Sequence, residues 1–343
     1  MMQQWRLGLL AAMAVVVATT GCGSIVARGI AKAPNSYPNL TWFLPAPPVQ
    51  LDYSDKFLTN FPERIVDVGP PVARLRYRVI EPAAYGLVVH MTNWVKGSRK
   101  EYKFTFHATL PAATNQWTAA PRGTVVLLHG YGLNLGSMAP WALRLAEDGW
   151  RCVLVDLRGH GKSTGSRIYF GTKETADLSQ LLDALAHSGQ LREPVAVMGE
   201  SYGAALALRW KTLDPRVGPV VAIAPYAVLS NAVVNIGRDY SGLMPVCLVT
   251  SLARAGARDL PAVLKVPPGE LDTTTVLKRD PIEALFVAGS EDNIAPAADV
   301  AELERLAGPG SRLIVLPGAT HEAVTYYFDE LTGPVLAWLN ASP

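Results

Sequence analysis

The stretch "VAVMGESYGAALAL", residues 195–208, passes from a continuous apolar run to a helix-like pattern at a single serine. Gly199, Ser201 and Gly203 fit the pattern G-x-S-x-G, which between a strand and a helix describes a sharp turn that exposes the serine hydroxyl. Side chains at the two glycine positions would collide with the neighbouring strand and helix. The helix that follows directs its N-terminus at the serine, where free N–H groups favour negative charge. Ser201 is therefore the candidate nucleophile.

Around this turn, short apolar runs alternate with segments of helical periodicity. The apolar runs are "GTVVLLHG", "WRCVLVDL", "PVAVMGES", "GPVVAIAP", "IEALFVAG" and "SRLIVLPG". Continuous apolar strands that alternate with helices predict an α/β fold, with a mostly parallel central sheet flanked by helices on both faces. Upstream, β-rich segments between about 74 and 110 have a strand–turn–strand pattern and predict an antiparallel start to that sheet.

The composition divides the chain into further parts. Residues 75–227 and 281–343 carry the alternating pattern and predict the core. Residues 228–280 are largely helical in pattern, which we interpret as a small helical cap insertion over the carboxyl edge of the sheet; the alternative is that they extend the core. Residues 23–74 contain many prolines, which exclude a continuous helix or a central strand and predict a tether over the surface.

The first 22 residues differ from the rest of the chain. One arginine precedes the apolar run "LGLLAAMAVVV", which is too short to cross a bilayer and predicts a signal peptide. The small residues before Cys22 resemble the processing site of bacterial lipoproteins, although Thr19 stands where that site usually has an apolar residue. We therefore expect lipid attachment at Cys22 and an exported, membrane-anchored bacterial protein, periplasmic or at the cell surface. Ordinary signal cleavage beside an incidental cysteine is the alternative.

Composition also bears on partners and cofactors. The 343-residue chain has a formal net charge of +2, which gives no electrostatic reason to expect nucleic acid. A disulfide between Cys152 and Cys247 is compatible with export but is not required by their spacing. Cys and His residues do not have the spacing of a zinc site, so neither a metal nor another cofactor is expected.

A nucleophilic serine needs a base and an acid that orients the base. Of the six histidines, only His321 follows the last apolar strand, on a loop at the edge of the sheet where Ser201 lies. The loop after "IEALFVAG" offers Glu291 and Asp292 as the acid, and the spacing favours Asp292. His129, His160 and Asp156 lie in turn motifs and are expected to be structural. Their sequence surroundings are "LLHGYG" and "DLRGHGKS".

These motifs, together with "GESYGAAL", "GSED" and "GATHE", occur in an order that resembles the α/β-hydrolase superfamily, specifically its serine hydrolases. The resemblance spans roughly residues 75–343. It implies a catalytic triad of Ser201, Asp292 and His321. It also implies an oxyanion hole made by the backbone N–H groups of Tyr131 and Tyr202, and no metal or cofactor. The HGGG motif of some lipases and esterases is absent.

The expected reaction is hydrolysis of a carboxylic ester through an acyl-enzyme on Ser201. The apolar insertion favours small-molecule or lipid-like ester substrates, which a lipid at the N-terminus would bring to a membrane surface. A serine peptidase or amidase of the same fold is the main alternative, because the fold by itself does not select the bond that is cleaved. A non-catalytic, lipid-anchored binding protein would require a broken triad.

Overall fold

The computed structural model describes residues 22–37, 49–52, 55–96, 99–111, 120–242 and 244–341. Residues 1–21 of the predicted signal peptide (residues 1–22) lie outside these ranges, and so do Trp42 and Phe43 of the predicted tether. Cys22 is the first residue of the first described helix. Within the described ranges, no helix combines the length and apolar character needed to cross a membrane.

Strands and helices of the described residues alternate as the sequence pattern predicts. The strands are β1 (Val49–Asp52), β2 (Arg64–Val68), β3 (Ala73–Ile80), β4 (Val88–Lys96), β5 (Arg99–His107), β6 (Thr124–Leu128), β7 (Arg151–Val155), β8 (Val195–Glu200), β9 (Val217–Ile223), β10 (Leu285–Gly289) and β11 (Arg312–Leu316). The helices are α1 (Cys22–Ala31), α2 (Asp55–Leu58), α3 (Ala139–Glu147), α4 (Glu174–His187), α5 (Tyr202–Leu213), α6 (Leu229–Asp239), α7 (Val246–Leu264), α8 (Thr273–Arg279), α9 (Ala297–Leu306) and α10 (Phe328–Ala341).

The central sheet has eight strands in the order β11-β10-β9-β8-β6-β7-β3-β2. The strands from β11 to β7 pair in parallel, whereas β3 is antiparallel to both β7 and β2. Strand β6 is fully buried along its length because helices cover both of its faces. The mostly parallel sheet predicted from the sequence is confirmed.

Alternate residues of each strand contribute to two hydrophobic cores, one on each face of the sheet. In β6, Val126 and Leu128 pack with α4 and α5, while Val125 and Leu127 pack with α3 and α10. This alternation follows from the two-residue period of a strand. The parallel strands therefore end at a common edge, and the loops at that edge carry the candidate site.

The β-rich segment before the core differs from the prediction. Strands β4 and β5 form the expected hairpin, but the hairpin pairs with β1 in a separate three-stranded sheet. The antiparallel start of the central sheet is instead made by β2 and β3. A strand pattern establishes that two neighbouring segments can pair, but it does not say which sheet they join.

The segment predicted as a tether, residues 23–74, is built into the fold where it is described. It contains helix α1, which packs against α7, and strand β2 at the edge of the central sheet. The prolines that excluded a long helix are concentrated in 38–48, outside the described residues. Just before these prolines, the backbone N–H groups of Ala33 and Asn35 donate hydrogen bonds to the carbonyl oxygens of Ser166 and Gly159 in the core.

The predicted cap insertion, residues 228–280, holds helices α6, α7 and α8 between β9 and β10. Helices α6 and α7 pack on each other, and α8 packs against the core helices α5 and α9. The buried Arg209 of α5 makes a 2.7 Å ion pair with Glu270, which fixes the end of the insertion to the core. The insertion therefore places α6 beside Ser201, with α7 packed on α6, and continues the core with α8.

Candidate active site

Ser201 lies on the sharp turn between β8 and α5. Its φ of 51° is in a region that non-glycine residues rarely adopt. A Cβ on Gly199 would lie 2.3 Å from the carbonyl oxygen of Gly203, and a Cβ on Gly203 would lie 2.3 Å from that of Leu128. Both contacts are impossible for real atoms, so the turn requires glycine at these two positions.

The side chains of Ser201, His321 and Asp292 form a continuous chain of hydrogen bonds. Ser201 Oγ lies 2.9 Å from His321 Nε2, and His321 Nδ1 lies 2.7 Å from Asp292 Oδ2. The other oxygen of Asp292 accepts hydrogen bonds from the backbone N–H groups of Ile294 and Ala295. These two donors keep the carboxylate aimed at the imidazole, and this arrangement suits a tautomer in which Nδ1 carries the proton and Nε2 accepts from the serine.

The neighbouring acid, Glu291, points elsewhere. Its carboxylate lies 2.6 Å from Lys100 Nζ, at an exposed position where β5 meets the loop that precedes His321. Tyr102, on the same strand, donates a 2.9 Å hydrogen bond to the carbonyl oxygen of Gly318. The separate three-stranded sheet therefore supports the histidine loop, and Asp292 is the acid that reaches His321.

The surroundings of His321 favour its protonated form. Burial lowers the pKa of His321, but the charge and hydrogen bond of Asp292, with the charges of Glu322 and Glu200, outweigh burial and raise it above its usual value. Glu322 also accepts a hydrogen bond from Tyr240, in the segment that joins α6 to α7. The surroundings of His321 thus stabilise its imidazolium form.

Two groups fix the backbone beside the predicted oxyanion donor Tyr131. The carbonyl oxygen of Gly130 lies 2.8 Å from His129 Nδ1, whose Nε2 accepts from the N–H of Leu157. The N–H of Gly130 donates to the buried carboxylate of Glu200. Because a peptide unit is planar, the bond to the Gly130 oxygen also orients the N–H of Tyr131. Burial lowers the pKa of His129 to about 4, so this ring is neutral.

The second predicted donor, Tyr202, is the first residue of α5. The N–H of a first helical residue has no partner within its helix and is available to an anion. The N–H of Ser201, in contrast, is used in a 2.7 Å hydrogen bond to Ile223. The roles of Tyr131 and Tyr202 in the oxyanion hole stay predictions.

The other polar residues of the turn motifs hold loops together. Asp156 accepts hydrogen bonds from the N–H groups of Leu135 and Lys162 and forms a 3.0 Å ion pair with Arg76. His160 stacks on the ring of Tyr202, and burial lowers its pKa to about 3. Neither side chain belongs to the hydrogen-bond chain of Ser201, His321 and Asp292, and their structural roles stay predictions.

Neither cysteine of the folded region is in a bridge or a metal site. Cys152 is buried in β7 and Cys247 is exposed at the start of α7, and both are free thiols. Within the described residues, His, Cys, Asp and Glu side chains do not gather in a group of three that could bind a metal ion. The disulfide that the sequence left possible is not formed.

Ser201 and His321 line an apolar cavity of about 130 Å³. The residues that line it come from α1, from the cap helix α6 and from loops at the carboxyl edge of the sheet. They are Ile30, Tyr131, Phe170, Ser201, Tyr202, Tyr226, Leu229, Ala232, Val233, Ile236, Ile294 and His321. Apart from the serine and the histidine, the polar atoms on these side chains are tyrosine hydroxyls.

Several of these residues were missed from the sequence. Tyr226 follows β9, and a search of every strand's carboxyl end would have found it. Phe170, with a φ of 51°, and Ile30 carry no local signal of a role in a site. Glu200, next to Ser201 in the sequence, is buried and accepts hydrogen bonds from the N–H of Gly130 and the hydroxyl of Ser137.

The sequence is similar to those of known hydrolases. A family model described as serine aminopeptidase, S33, matches residues 119–281, which include Ser201 and end before Asp292. A monoacylglycerol lipase of Mycolicibacterium smegmatis is 27% identical over 257 residues, 66% of this chain and 92% of the lipase. A pimeloyl-[acyl-carrier protein] methyl ester esterase of Xanthomonas axonopodis is 26% identical over 253 residues, 64% of this chain and 96% of the esterase.

Solved structures share the architecture. An esterase from Pyrococcus furiosus superposes with a TM-score of 0.61 at 19% identity, over 84% of this chain and 94% of the esterase. A hydrolase from Pseudomonas aeruginosa superposes with a TM-score of 0.52 at 18% identity, over 81% of this chain and 99% of the hydrolase. The chain has the α/β-hydrolase fold. The three candidate catalytic side chains follow β8, β10 and β11 at one edge of the sheet.

Proposed function

We propose that this α/β-hydrolase cleaves carboxylic esters through an acyl-enzyme on Ser201. The observation that carries the proposal is the unbroken hydrogen-bond chain from Asp292 through His321 to Ser201, which ends in an apolar cavity. A serine hydroxyl alone is a weak nucleophile, and a neutral imidazole at 2.9 Å is the base that activates it.

The reaction proceeds in two steps, acylation of Ser201 and hydrolysis of the acyl-enzyme, and His321 transfers the proton in both. His321 Nε2 takes the Ser201 proton as Oγ bonds to the ester carbonyl carbon, and the oxyanion accepts from the N–H groups of Tyr131 and Tyr202. The tetrahedral species collapses, and His321 gives its proton to the leaving alcohol. A water molecule, deprotonated by the same base, then attacks the acyl carbon and releases the acid and the serine. Asp292 stabilises the imidazolium formed in each step.

Apolar or lipid-like esters fit the cavity best. Its walls are aliphatic and aromatic side chains, and such surfaces favour hydrocarbon over charged groups. The two sequence relatives, a monoacylglycerol lipase and a methyl ester esterase, both act on esters of carboxylic acids. The substrate class is therefore proposed from the chemistry of the cavity, and the relatives support ester hydrolysis in general.

A serine peptidase or amidase is the second candidate, because the matching family model is described as a serine aminopeptidase. An enzyme that removes N-terminal residues gains affinity from a carboxylate that pairs with the substrate amine. Among the described residues that line the cavity there is neither aspartate nor glutamate. This composition favours the ester over the peptide.

Hydrolysis of p-nitrophenyl esters of increasing acyl length tests the proposal, with Ser201→Ala as the matched control. We expect activity that depends on Ser201 and that is highest at a defined acyl length. Covalent labelling by a fluorophosphonate shows whether the serine is activated. Labelling of Ser201 without hydrolysis of any ester would contradict the proposal and favour amide or peptide substrates. Absence of both labelling and hydrolysis would favour a non-catalytic binding protein.

We also propose that the protein is exported and anchored to a bacterial membrane by a lipid on Cys22. The apolar run at residues 7–17 and the small residues before Cys22 support this proposal. Cys22 begins α1, and Ile30 lines the cavity eight residues later, roughly 12 Å along a helix. A lipid there would hold the cavity close to the bilayer. Incorporation of a labelled fatty acid that is lost in Cys22→Ser would support the anchor, and equal membrane association of both forms would contradict it.

A further inference from the structure

We propose that α1 is a wall of the substrate cavity and that Ile30 on this helix sets the size of the apolar group that the enzyme accepts. The proposal rests on ester hydrolysis at Ser201 and assigns a role in specificity to a segment that precedes the core. Its starting observation is that Ile30 lines the same cavity as Ser201 and His321.

Helix α1 lies very close to the cap helix α7. Gly23, Ala27 and Ala31 recur every four residues, so they share one face of α1, and all three are buried. On α7, a Cβ at Gly256 would lie 2.4 Å from Val26 and 2.9 Å from Ile30. Small side chains on both helices let the backbones approach and leave no space for α1 to shift toward α7.

The chain beyond Ile30 is fixed to the core as well. The N–H of Ile168 donates a 2.9 Å hydrogen bond to the carbonyl oxygen of Ala31, and the N–H of Ala33 donates to Ser166. The side chain of Asn35 donates to the carbonyl oxygens of Gly161 and Ser163. Cap contacts on one side and core contacts on the other therefore determine where the Ile30 side chain lies.

Three separate parts of the chain place an isoleucine in this cavity. Ile30 belongs to α1, Ile236 to the cap helix α6, and Ile294 to the loop that holds Asp292. The last two are joined by the Asn235 amide, which donates a 3.2 Å hydrogen bond to the Ile294 carbonyl oxygen. Neither α1 nor α6 carries a catalytic group, but α6 is hydrogen-bonded through Asn235 to the loop that holds Asp292. The described backbone bonds of α1 and the residues after it go to residues 159–168 instead, so the size of Ile30 can change without moving the triad.

The test compares Ile30→Ala and Ile30→Trp in the full chain. Ile25, 66% exposed on the same helix, provides the controls Ile25→Ala and Ile25→Trp. We expect Ile30→Ala to move the optimum of kcat/KM to longer p-nitrophenyl esters and Ile30→Trp to move it to shorter ones. Single methylene differences in apolar pockets change kcat/KM by about tenfold or more, and shifts of this size are expected. The Ile25 variants should keep the original profile.

Gly256→Ala gives a second test because its new Cβ would press on the side chains of Val26 and Ile30 without replacing any residue that lines the cavity. We expect this variant to alter the acyl-length profile while its fluorophosphonate labelling stays complete. Unchanged profiles for Ile30→Trp and Gly256→Ala, in folded and fully labelled protein, would overturn the proposal. A wild-type protein that hydrolyses no ester in the series would instead contradict the proposed function, which separates the two failures.

Discussion

Asp292 and His321 are joined by a 2.7 Å hydrogen bond, and the second carboxylate oxygen of Asp292 is held by two backbone N–H groups. An asparagine at 292 could present its NH₂ group to the imidazole and favour the wrong tautomer. We expect Asp292→Asn to lower kcat by about 10⁴-fold, as in other serine triads. Glu291→Gln is the matched control, since Glu291 is bound to Lys100, and its kcat should change little. A loss in Glu291→Gln as large as in Asp292→Asn would reverse the assignment of the acid.

The pH dependence of kcat/KM should respond to Glu322. Its negative charge helps to raise the pKa of His321, and the base acts in its neutral form. Removing the charge in Glu322→Gln lowers that pKa, so the acidic limb should move to lower pH. Tyr240→Phe removes the hydrogen bond to Glu322 but keeps the charge, and its limb should not move in that direction. Equal shifts of the acidic limb in both variants would show that the position of the Glu322 side chain, rather than its charge, sets the pKa of His321.

Gly203 should tolerate no side chain. In Gly203→Ala the new Cβ would contact the backbone oxygens of Leu128 and His129, on the strand and loop beside the site. We expect a loss of about 1–3 kcal/mol in the free energy of unfolding, together with a loss of activity. Gly29→Ala, in helix α1, meets only the Tyr37 hydroxyl at 3.6 Å and should be stabilising by about 0.5–1 kcal/mol. Urea denaturation of both variants measures the difference.

Glu200 is expected to act as a positioning residue for the oxyanion loop. Its buried carboxylate binds the N–H of Gly130 and the hydroxyl of Ser137, and small displacements of catalytic groups cost up to about 10²-fold in rate. Glu200→Ala should therefore lower kcat by this order, measured at the alkaline plateau where His321 is neutral. Glu200→Gln retains an oxygen that accepts from Gly130 and should recover most of the rate. If kcat of Glu200→Gln is as low as that of Glu200→Ala, the negative charge of Glu200, and not its hydrogen bond to Gly130, supports the rate.

Local patterns were sufficient to predict the order of strands and helices in the core. The parallel sheet needs no information beyond apolar runs that alternate with helices, because strands buried on both faces have no polar positions. The β4–β5 hairpin shows the limit of prediction from local patterns. Its pairing is local and was predicted, but its sheet was assigned wrongly, because the partner β1 lies in a proline-rich segment with no strand signal of its own.

The sequence by itself determined Ser201, His321 and the acidic loop, because each lies in a short motif whose chemistry and position after a strand can be recognised without neighbours. Only the tertiary structure decided which carboxylate reaches His321 Nδ1. Asp292 and Glu291 are adjacent in the sequence, but the Asp292 side chain points at His321 and the Glu291 side chain points at Lys100. The tertiary structure also decided that Ile30 belongs to the site. That contact depends on how closely α1 approaches Gly256 of α7. A packing distance between segments far apart in the chain leaves no pattern in either segment.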